Sequence, residues 1–281
     1  MSYIKLTIYV SAPYQEMLIA ELLDMDFYGF EQFDDRIEAY IDKKRFDDVN
    51  REQIEQILSL HPEAPDFEIE EIEERNWNSD WEKGIQPLEV GPFFIRPTWS
   101  NKEPGKDQIL IEIDPKMSFG TGYHETTRLM LKKLANLDLT GKKVLDAGTG
   151  TGVLGIAALK LGAASVFAFD IDPWSIRNAS ENALINSVSD KFEIREGGAE
   201  VIPETEFDLA AANINRNEII RILPVLEKAV AENGHILLSG LLKTDKDMVL
   251  KKIKELKLKY INEVSENEWI LIQLRKPGKS Y

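Results

Sequence analysis

The sequence predicts an α/β chain in two parts: a ferredoxin-like α+β domain over residues 1–74 and a Rossmann-like open sheet over residues 93–281. A connector over residues 75–92, holding a short helix, joins them. Three observations carry this reading. The first domain runs strand, helix, strand, strand, helix, strand, the order of the ferredoxin-like split unit. Residues 143–152 read as a short buried strand (Val144, Leu145) that ends in Asp146, turns through Gly148, Gly150 and Gly152, and enters a helix at Val153. A second apolar strand, residues 165–169, then ends at Asp170, about one βαβ half-unit after the glycines.

Ile4, Leu6, Ile8 and Val10 alternate with polar or aromatic neighbours as a half-buried strand does, and Ser11-Ala12-Pro13 ends it. Met17, Leu18, Leu22 and Leu23 recur at helical spacing, with Gly29 as the stop. Residues 30–33 and 37–41 form two strands joined at Asp34-Asp35. A second amphipathic helix carries Phe46, Val49, Ile54, Ile57 and Leu58 and closes at His61-Pro62; Phe67, Ile69 and Ile72 supply the last strand. In the connector, Trp77 and Trp81 stand four apart on one helical face, a spacing suited to packing between domains, and Gly84 stops the helix.

In the second domain, residues 93–96 and 109–113 read as strands around a polar loop. Residues 114–127 follow, with glycines and hydroxyls ahead of a helix marked by Leu129, Met130, Leu131 and Leu134. Thr126 or Thr127 is placed to cap that helix or to contact a ligand above the glycine turn. Residues 207–212 form a strand that delivers Asn213 to the carboxyl edge of the sheet, where open α/β sheets bind ligands. Ile219, Ile222, Leu223 and Leu226 mark a helix; residues 235–240 a strand; residues 248–256 a helix; residues 260–264 and 269–274 a terminal antiparallel hairpin.

Composition narrows the chemistry. The net charge is −15, and residues 1–75 hold 20 Asp and Glu against 7 Lys and Arg, so almost all of it lies in the first quarter. A field of that sign repels nucleic-acid phosphate and attracts a basic protein, although an acidic surface kept for solubility reads the same way. There is no cysteine and only His61, His124 and His235 are present, which excludes thiolate metal sites and gives no zinc set. No basic region followed by an apolar core opens the chain, and the apolar stretch 153–169 is broken by Lys160 and Gly162. The expectation is a cytoplasmic protein with no membrane span, no metal and no direct nucleic-acid contact.

The glycines let a backbone turn pass close under a nucleoside-bearing cofactor, and a carboxylate at Asp170 can accept from both ribose hydroxyls. Gly150, Gly152 and Gly155 also satisfy the dinucleotide pattern G-x-G-x-x-G, so the loop alone leaves a nicotinamide cofactor open. Asn182 and Asn186, four apart after Asp172-Pro173, are placed either to approach an adenine edge or simply to be polar on a helix surface.

Residues 114–127, the stretch 144–152, Asp170-Ile171-Asp172-Pro173 and Ala212-Asn213-Ile214 together resemble the ribosomal protein methyltransferase A (PrmA) family, which methylates large-subunit ribosomal protein eleven. The string Phe119-Gly120-Thr121-Gly122-x-His124-x-Thr126-Thr127 carries the resemblance more specifically than the glycine loop, and the similarity spans essentially the whole chain. It implies a class I methyltransferase that uses S-adenosylmethionine to methylate lysine side-chain and α-amino groups of a basic ribosomal protein, recognised by the N-terminal domain. Cofactor contacts are implied at Thr127, Gly148, Asp170 and Asn213, with Asn213 also orienting the acceptor amine; His124 is a candidate base. One departure stands out: where many members continue with a small apolar run, this chain reads Asn213-Ile214-Asn215-Arg216-Asn217. Rival readings are a methyltransferase for RNA or a small molecule, and a cofactor-binding scaffold of ribosome assembly that does not turn over.

Overall fold

The computed structural model describes residues 2–23, 25–73, 85–116 and 118–278. The connector helix expected around Trp77 and Trp81, with its stop at Gly84, lies outside the described residues. The chain divides into two compact units, Met1–Ser79 and Asp80–Tyr281. Among the described residues no helix is long and apolar enough to cross a membrane, and no cluster of three His, Asp or Glu side chains is placed to hold a metal ion.

In the first unit, β1 (Ser2–Ile8), α1 (Ala12–Leu23), β2 (Tyr28–Gln32), β3 (Ile37–Asp42), α2 (Asp48–Leu60) and β4 (Phe67–Glu73) form an antiparallel sheet of order β2-β3-β1-β4 beside two helices, the ferredoxin-like arrangement. Strand alternation puts Leu6, Ile8, Ile37, Ala39 and Ile41 in one core with Leu18 and Leu22 of α1 and Ile54 and Leu58 of α2. A capping box starts α2: Asp47 Oδ1 accepts from the Asn50 N–H at 3.0 Å, and Asn50 Oδ1 accepts from the Asp47 N–H at 2.9 Å. Gly29 does not stop α1, which already ends at Leu23. It lies inside β2 with φ +70°, where the pairing with β3 slips between Tyr28 and Phe30, so the glycine serves a bulge.

The second unit opens with a three-stranded sheet, β5 (Leu88–Val90), β6 (Phe93–Arg96) and β7 (Ile109–Glu112). β5 falls within residues read above as connector; it pairs antiparallel with β6, Leu88 facing Ile95. Next come α3 (Glu125–Ala135), β8 (Lys143–Ala147), α4 (Val153–Lys160), β9 (Ser165–Asp170), α5 (Pro173–Ile185), β10 (Phe192–Glu196), β11 (Phe207–Asn213), α6 (Arg216–Ala229), β12 (Val230–Leu242), α7 (Lys246–Glu255), β13 (Lys259–Glu266) and β14 (Trp269–Arg275). The seven strands are ordered β10-β9-β8-β11-β12-β14-β13. The first five run parallel, and β14 is inserted antiparallel to both of its neighbours, which realises the expected terminal hairpin.

Parallel strands covered on both faces read as continuous apolar runs, yet the side chains still alternate between faces. Val144, Val166, Leu209 and Ala211 join α3 and α4 through Leu129, Met130, Leu134, Ile156 and Ala157. Leu145, Phe167, Ala210 and Ala212 join α6 and α7 through Ile219, Ile222, Leu226, Val249 and Ile253. Each fully buried Leu, Ile or Phe of these layers contributes about 1.5–3 kcal/mol.

The outer edge of β7 is closed by side-chain amides instead of a further strand. Asn186 of the α5 C-cap accepts from the Glu112 N–H at 3.0 Å and donates to the Glu112 carbonyl at 2.7 Å. Asn182 accepts from the Asp114 N–H at 3.0 Å, and Asn178 donates to the Asp114 carbonyl at 2.7 Å. Neither Asn182 nor Asn186 is free to read an adenine edge or to face solvent: both are buried, and their amides are spent on backbone. Asn186→Ala strips both partners from Glu112, and a backbone group left unpaired costs about 1–3 kcal/mol. A urea titration is expected to show a loss of about that size; a loss under about 0.5 kcal/mol would mean that water replaces the amide.

Candidate functional site

β8 ends at Ala147, and the chain turns through Gly148, Gly150 and Gly152, all with positive φ, into α4. What the turn touches explains its glycines. A Cβ on Gly148 would meet Ile214 Cγ2 at 2.3 Å, and one on Gly150 would meet the Phe119 carbonyl oxygen at 2.2 Å. That carbonyl accepts from the Thr151 N–H at 2.9 Å, while Thr151 Oγ1 donates to the Gly120 carbonyl at 2.7 Å. The glycine-rich stretch that carries Phe119 is therefore laid directly on the glycine turn.

Two carboxylates organise the turn. Asp146 is fully buried; its Oδ2 accepts from Thr149 Oγ1 at 2.8 Å and from the Gly155 N–H at 3.2 Å, and its Oδ1 has no partner. The first turn of α4 thus spends the Gly155 N–H on its own protein and does not offer it to a ligand. Burial, partly offset by those two hydrogen bonds, pushes the Asp146 carboxyl up to about 6. Asp170, at the end of β9, accepts from the Gly150 N–H through Oδ2 at 3.0 Å and from the Asp172 N–H through Oδ1 at 3.0 Å. Asp172 in turn caps α5, accepting from the Trp174 and Ser175 N–H groups.

Asn213 ends β11 and is 8% exposed. Its Nδ2 donates to Thr127 Oγ1 at 3.3 Å, and its Oδ1 has no hydrogen-bond partner. Thr127 is wholly buried behind Asn213. The cap of α3 is neither threonine: His124 accepts from the Thr126 N–H through Nδ1 at 3.3 Å, with Thr126 Oγ1 2.8 Å from the same nitrogen. The His124 ring stands 4.7 Å edge-on to Trp269 and 5.4 Å from Phe119, centroid to centroid.

These groups surround a cavity of about 520 Å³ at the carboxyl ends of the strands. Of the residues singled out from sequence as site candidates, Gly148, Gly150, Asp170, Asn213, His124 and Thr126 line it, and Thr127 does not. Ser118, Ile171, Glu218, Gly240 and Trp269 line it as well. No local pattern marks Trp269 or Glu218 as site residues, because a strand opening and a helix first turn look alike anywhere. Gly240 carries a signal that is clear only afterwards: it has φ +84°, and a Cβ there would meet the Ile214 carbonyl oxygen at 2.1 Å. The polar run after Asn213 serves the helix. Asn215 caps α6 by accepting from the Glu218 N–H at 3.0 Å, and Arg216 pairs with Asp245 at 2.9 Å.

Strand order with β14 reversed between β12 and β13, a glycine turn after the central strand β8 and an acid closing β9 are the marks of a class I methyltransferase domain. The chain belongs to the ribosomal protein L11 methyltransferase (PrmA) family, whose family model matches residues 15–277. A protein of Chlorobaculum parvum named ribosomal protein L11 methyltransferase is 38% identical over 275 residues, 96% of this chain and 95% of that protein. One of the same name from Pelobacter propionicus is 33% identical over 276 residues, 92% of this chain and 89% of that protein. Among solved structures, a ribosomal protein L11 methylase of Lactobacillus delbrueckii subsp. bulgaricus superposes with a TM-score of 0.65 at 28% identity, covering 69% of this chain and all of that one.

The raised Asp146 pKa has a signed consequence. The folded state holds this proton up to about pH 6, whereas an unfolded Asp releases it near pH 4. The group's contribution to stability is complete below about pH 4 and is lost as pH rises through about 6, a change of up to about 3 kcal/mol. Asp146→Asn is expected to remove this component, so that the wild-type minus variant stability falls between about pH 4 and about pH 7 in urea titrations. A difference that does not vary with pH contradicts the assignment.

Proposed function

We propose that this chain transfers methyl groups from S-adenosylmethionine to lysine side-chain amines and α-amino groups of ribosomal protein L11. The observation that carries the reading is Asn213 Oδ1, a buried acceptor without a partner in the wall of a cavity that meets the carboxyl ends of the strands. The names of the relatives supply the acceptor protein.

The cavity suits the cofactor. Phe119, Phe169, Ile171 and Trp269 give it apolar walls, and Asp170, Asp172 and Glu218 give it negative charge. A nucleoside joined to a cationic sulfonium needs both. Each Asp170 oxygen takes one backbone N–H and keeps lone-pair capacity for a ribose hydroxyl, and Gly148 brings bare backbone to the same wall. When bound, S-adenosylmethionine supplies an electrophilic methyl group on positively charged sulfur.

The protein's own task is to present the amine. An unperturbed lysine has a pKa of about 10.4 and must lose its proton before its lone pair can attack. Enclosure among apolar walls disfavours the ammonium form and eases that loss to water. Thr127 takes one Nδ2 hydrogen of Asn213 and so fixes the amide, leaving Oδ1 to accept an N–H from the substrate amine and turn its lone pair toward the donor. Positioning of this kind is worth on the order of 7–11 kcal/mol when complete. His124 is committed through Nδ1 to capping α3, so no base role is assigned to it. The acidic first unit fits a basic protein acceptor and repels nucleic acid, and the absence of cysteine accords with work in the cytoplasm.

Two substitutions separate the roles. In an assay on purified L11, Asp170→Ala is expected to weaken cofactor binding about 10- to 100-fold, from the loss of charge-assisted hydrogen bonds worth about 1.5–3 kcal/mol. Asn213→Ala is expected to lower kcat by a similar factor, with thermal unfolding close to wild type. Unchanged cofactor affinity in the first variant, or unchanged kcat in the second, removes that residue from its role.

A further inference from the structure

One wall of the cavity is assembled from segments that are distant in sequence. Phe119 and His124 come from the stretch before α3, Thr126 from the first turn of α3, and Trp269 from the start of β14, just after the β13–β14 turn. The pairing of β14 with β12 and β13 fixes the strand. That ladder reaches Trp269, which stands opposite Leu242 and Glu266, but its backbone hydrogen bonds do not extend to α3. The spacing of the aromatic row Phe119, His124, Trp269 therefore depends on how side chains tie the hairpin to the helix.

Arg128, one turn into α3, meets the first two of these segments and the end of β13, whose Glu266 stands opposite Trp269. Its Nε and Nη2 both lie 2.6 Å from Glu266 Oε1 at the end of β13, its Nη1 donates to the Tyr123 carbonyl, and Nη2 stands 3.6 Å from Glu125 Oε1. Lys132 takes the other oxygen of Glu266 at 3.1 Å, and Asn267 in the turn donates to Glu125 Oε1 at 3.0 Å. Arg128 and Glu266 are each only about a quarter exposed, 22% and 26% by side chain. Burial works against the Glu266 charge, but the Arg128 and Lys132 hydrogen bonds outweigh it and hold the carboxyl below its ordinary value. A guanidinium offers five donors in a rigid plane, so one side chain can hold three partners in fixed relative positions, which an ammonium on a flexible stem cannot do.

We propose that Arg128 is a positioning residue for methyl transfer, clamping the Tyr123 carbonyl, Glu125 and Glu266 together so that Phe119, His124 and Trp269 keep one wall of the cavity in register. The proposal rests on the methyltransferase reading above, and it assigns Arg128 no contact with cofactor or acceptor. Arg128 and Glu266 lie outside the residues that line the cavity, and their effect passes through Trp269 and His124.

The test uses the full chain with Arg128→Gln, Arg128→Lys, Glu266→Gln and the double variant Arg128→Gln with Glu266→Gln. Four quantities are read: kcat and KM on L11, affinity for S-adenosylhomocysteine by calorimetry, thermal unfolding, and the indole N–H resonance of Trp269, assigned by its loss in Trp269→Phe. The clamp predicts that Arg128→Gln and Glu266→Gln each lower kcat about tenfold or more, with cofactor affinity within about threefold of wild type. It predicts a double variant little worse than either single one, because both remove the same link. Arg128→Lys should recover only part of the activity, and the Trp269 resonance should shift or broaden in every variant. Wild-type kcat in Arg128→Gln, effects that simply add in the double variant, or an unmoved Trp269 resonance would overturn it. If the wild-type chain itself fails to methylate L11, the functional reading falls, and the clamp is then decided by the Trp269 resonance alone.

Discussion

The second unit depends on one close approach, the Phe119 carbonyl seated on Gly150. The oxygen accepts from the Thr151 N–H at 2.9 Å and occupies space that any Cβ at Gly150 would need. This contact brings the stretch before α3 down onto the turn after β8, and with it Phe119 to the cavity wall. The same steric logic recurs at Gly148 and Gly240, which press on the side chain and the carbonyl of Ile214. Three segments at the carboxyl edge, after β8, after β11 and within β12, therefore pack closely at glycines, backbone against backbone at Gly150 and Gly240 and backbone against side chain at Gly148, beside the cavity. Glycine here answers first to the protein's own packing, and the bare surface offered to a ligand is a by-product of it.

Charge is placed with a division of labour. Asp146 is sealed beneath the turn, where burial raises its pKa and its hydrogen bonds hold the entry to α4. Asp170 stands at the cavity wall, and its two backbone hydrogen bonds fix its carboxylate in place. Two acids one βαβ half-unit apart thus do different work, one shaping the loop and the other facing the space above it. Asn213 repeats the pattern with a neutral group, since Thr127 immobilises one side of the amide and the other side is left without a partner.

Most of the architecture was legible because it is written in local periodicity. The runs at Val144, Val166 and Leu209 announced buried parallel strands, and the segments 260–264 and 269–274 announced the hairpin. Gly148, Asp170 and Asn213, which line the cavity, could be placed at the carboxyl edge of the sheet because each sits directly after or at the end of a strand whose direction was clear. What local pattern does not encode is the partner. Asn182 and Asn186 look like helix-surface amides until β7 is laid beside them, and Gly29 looks like a helix stop until β3 shows the bulge. Thr127 matched its motif, yet it lies behind Asn213, and the cap of α3 is His124. β5 is three residues long and has no periodicity to read.

The most direct measurement is peptide mass mapping of ribosomal protein L11 after incubation with this chain and S-adenosylmethionine. L11 peptides are expected to gain mass in steps of one methylene, with fragmentation placing the gain on amines, and both outcomes are expected to require the cofactor. L11 of unchanged mass, from a chain shown by calorimetry to bind the cofactor, would contradict the proposed transfer and move the acceptor elsewhere.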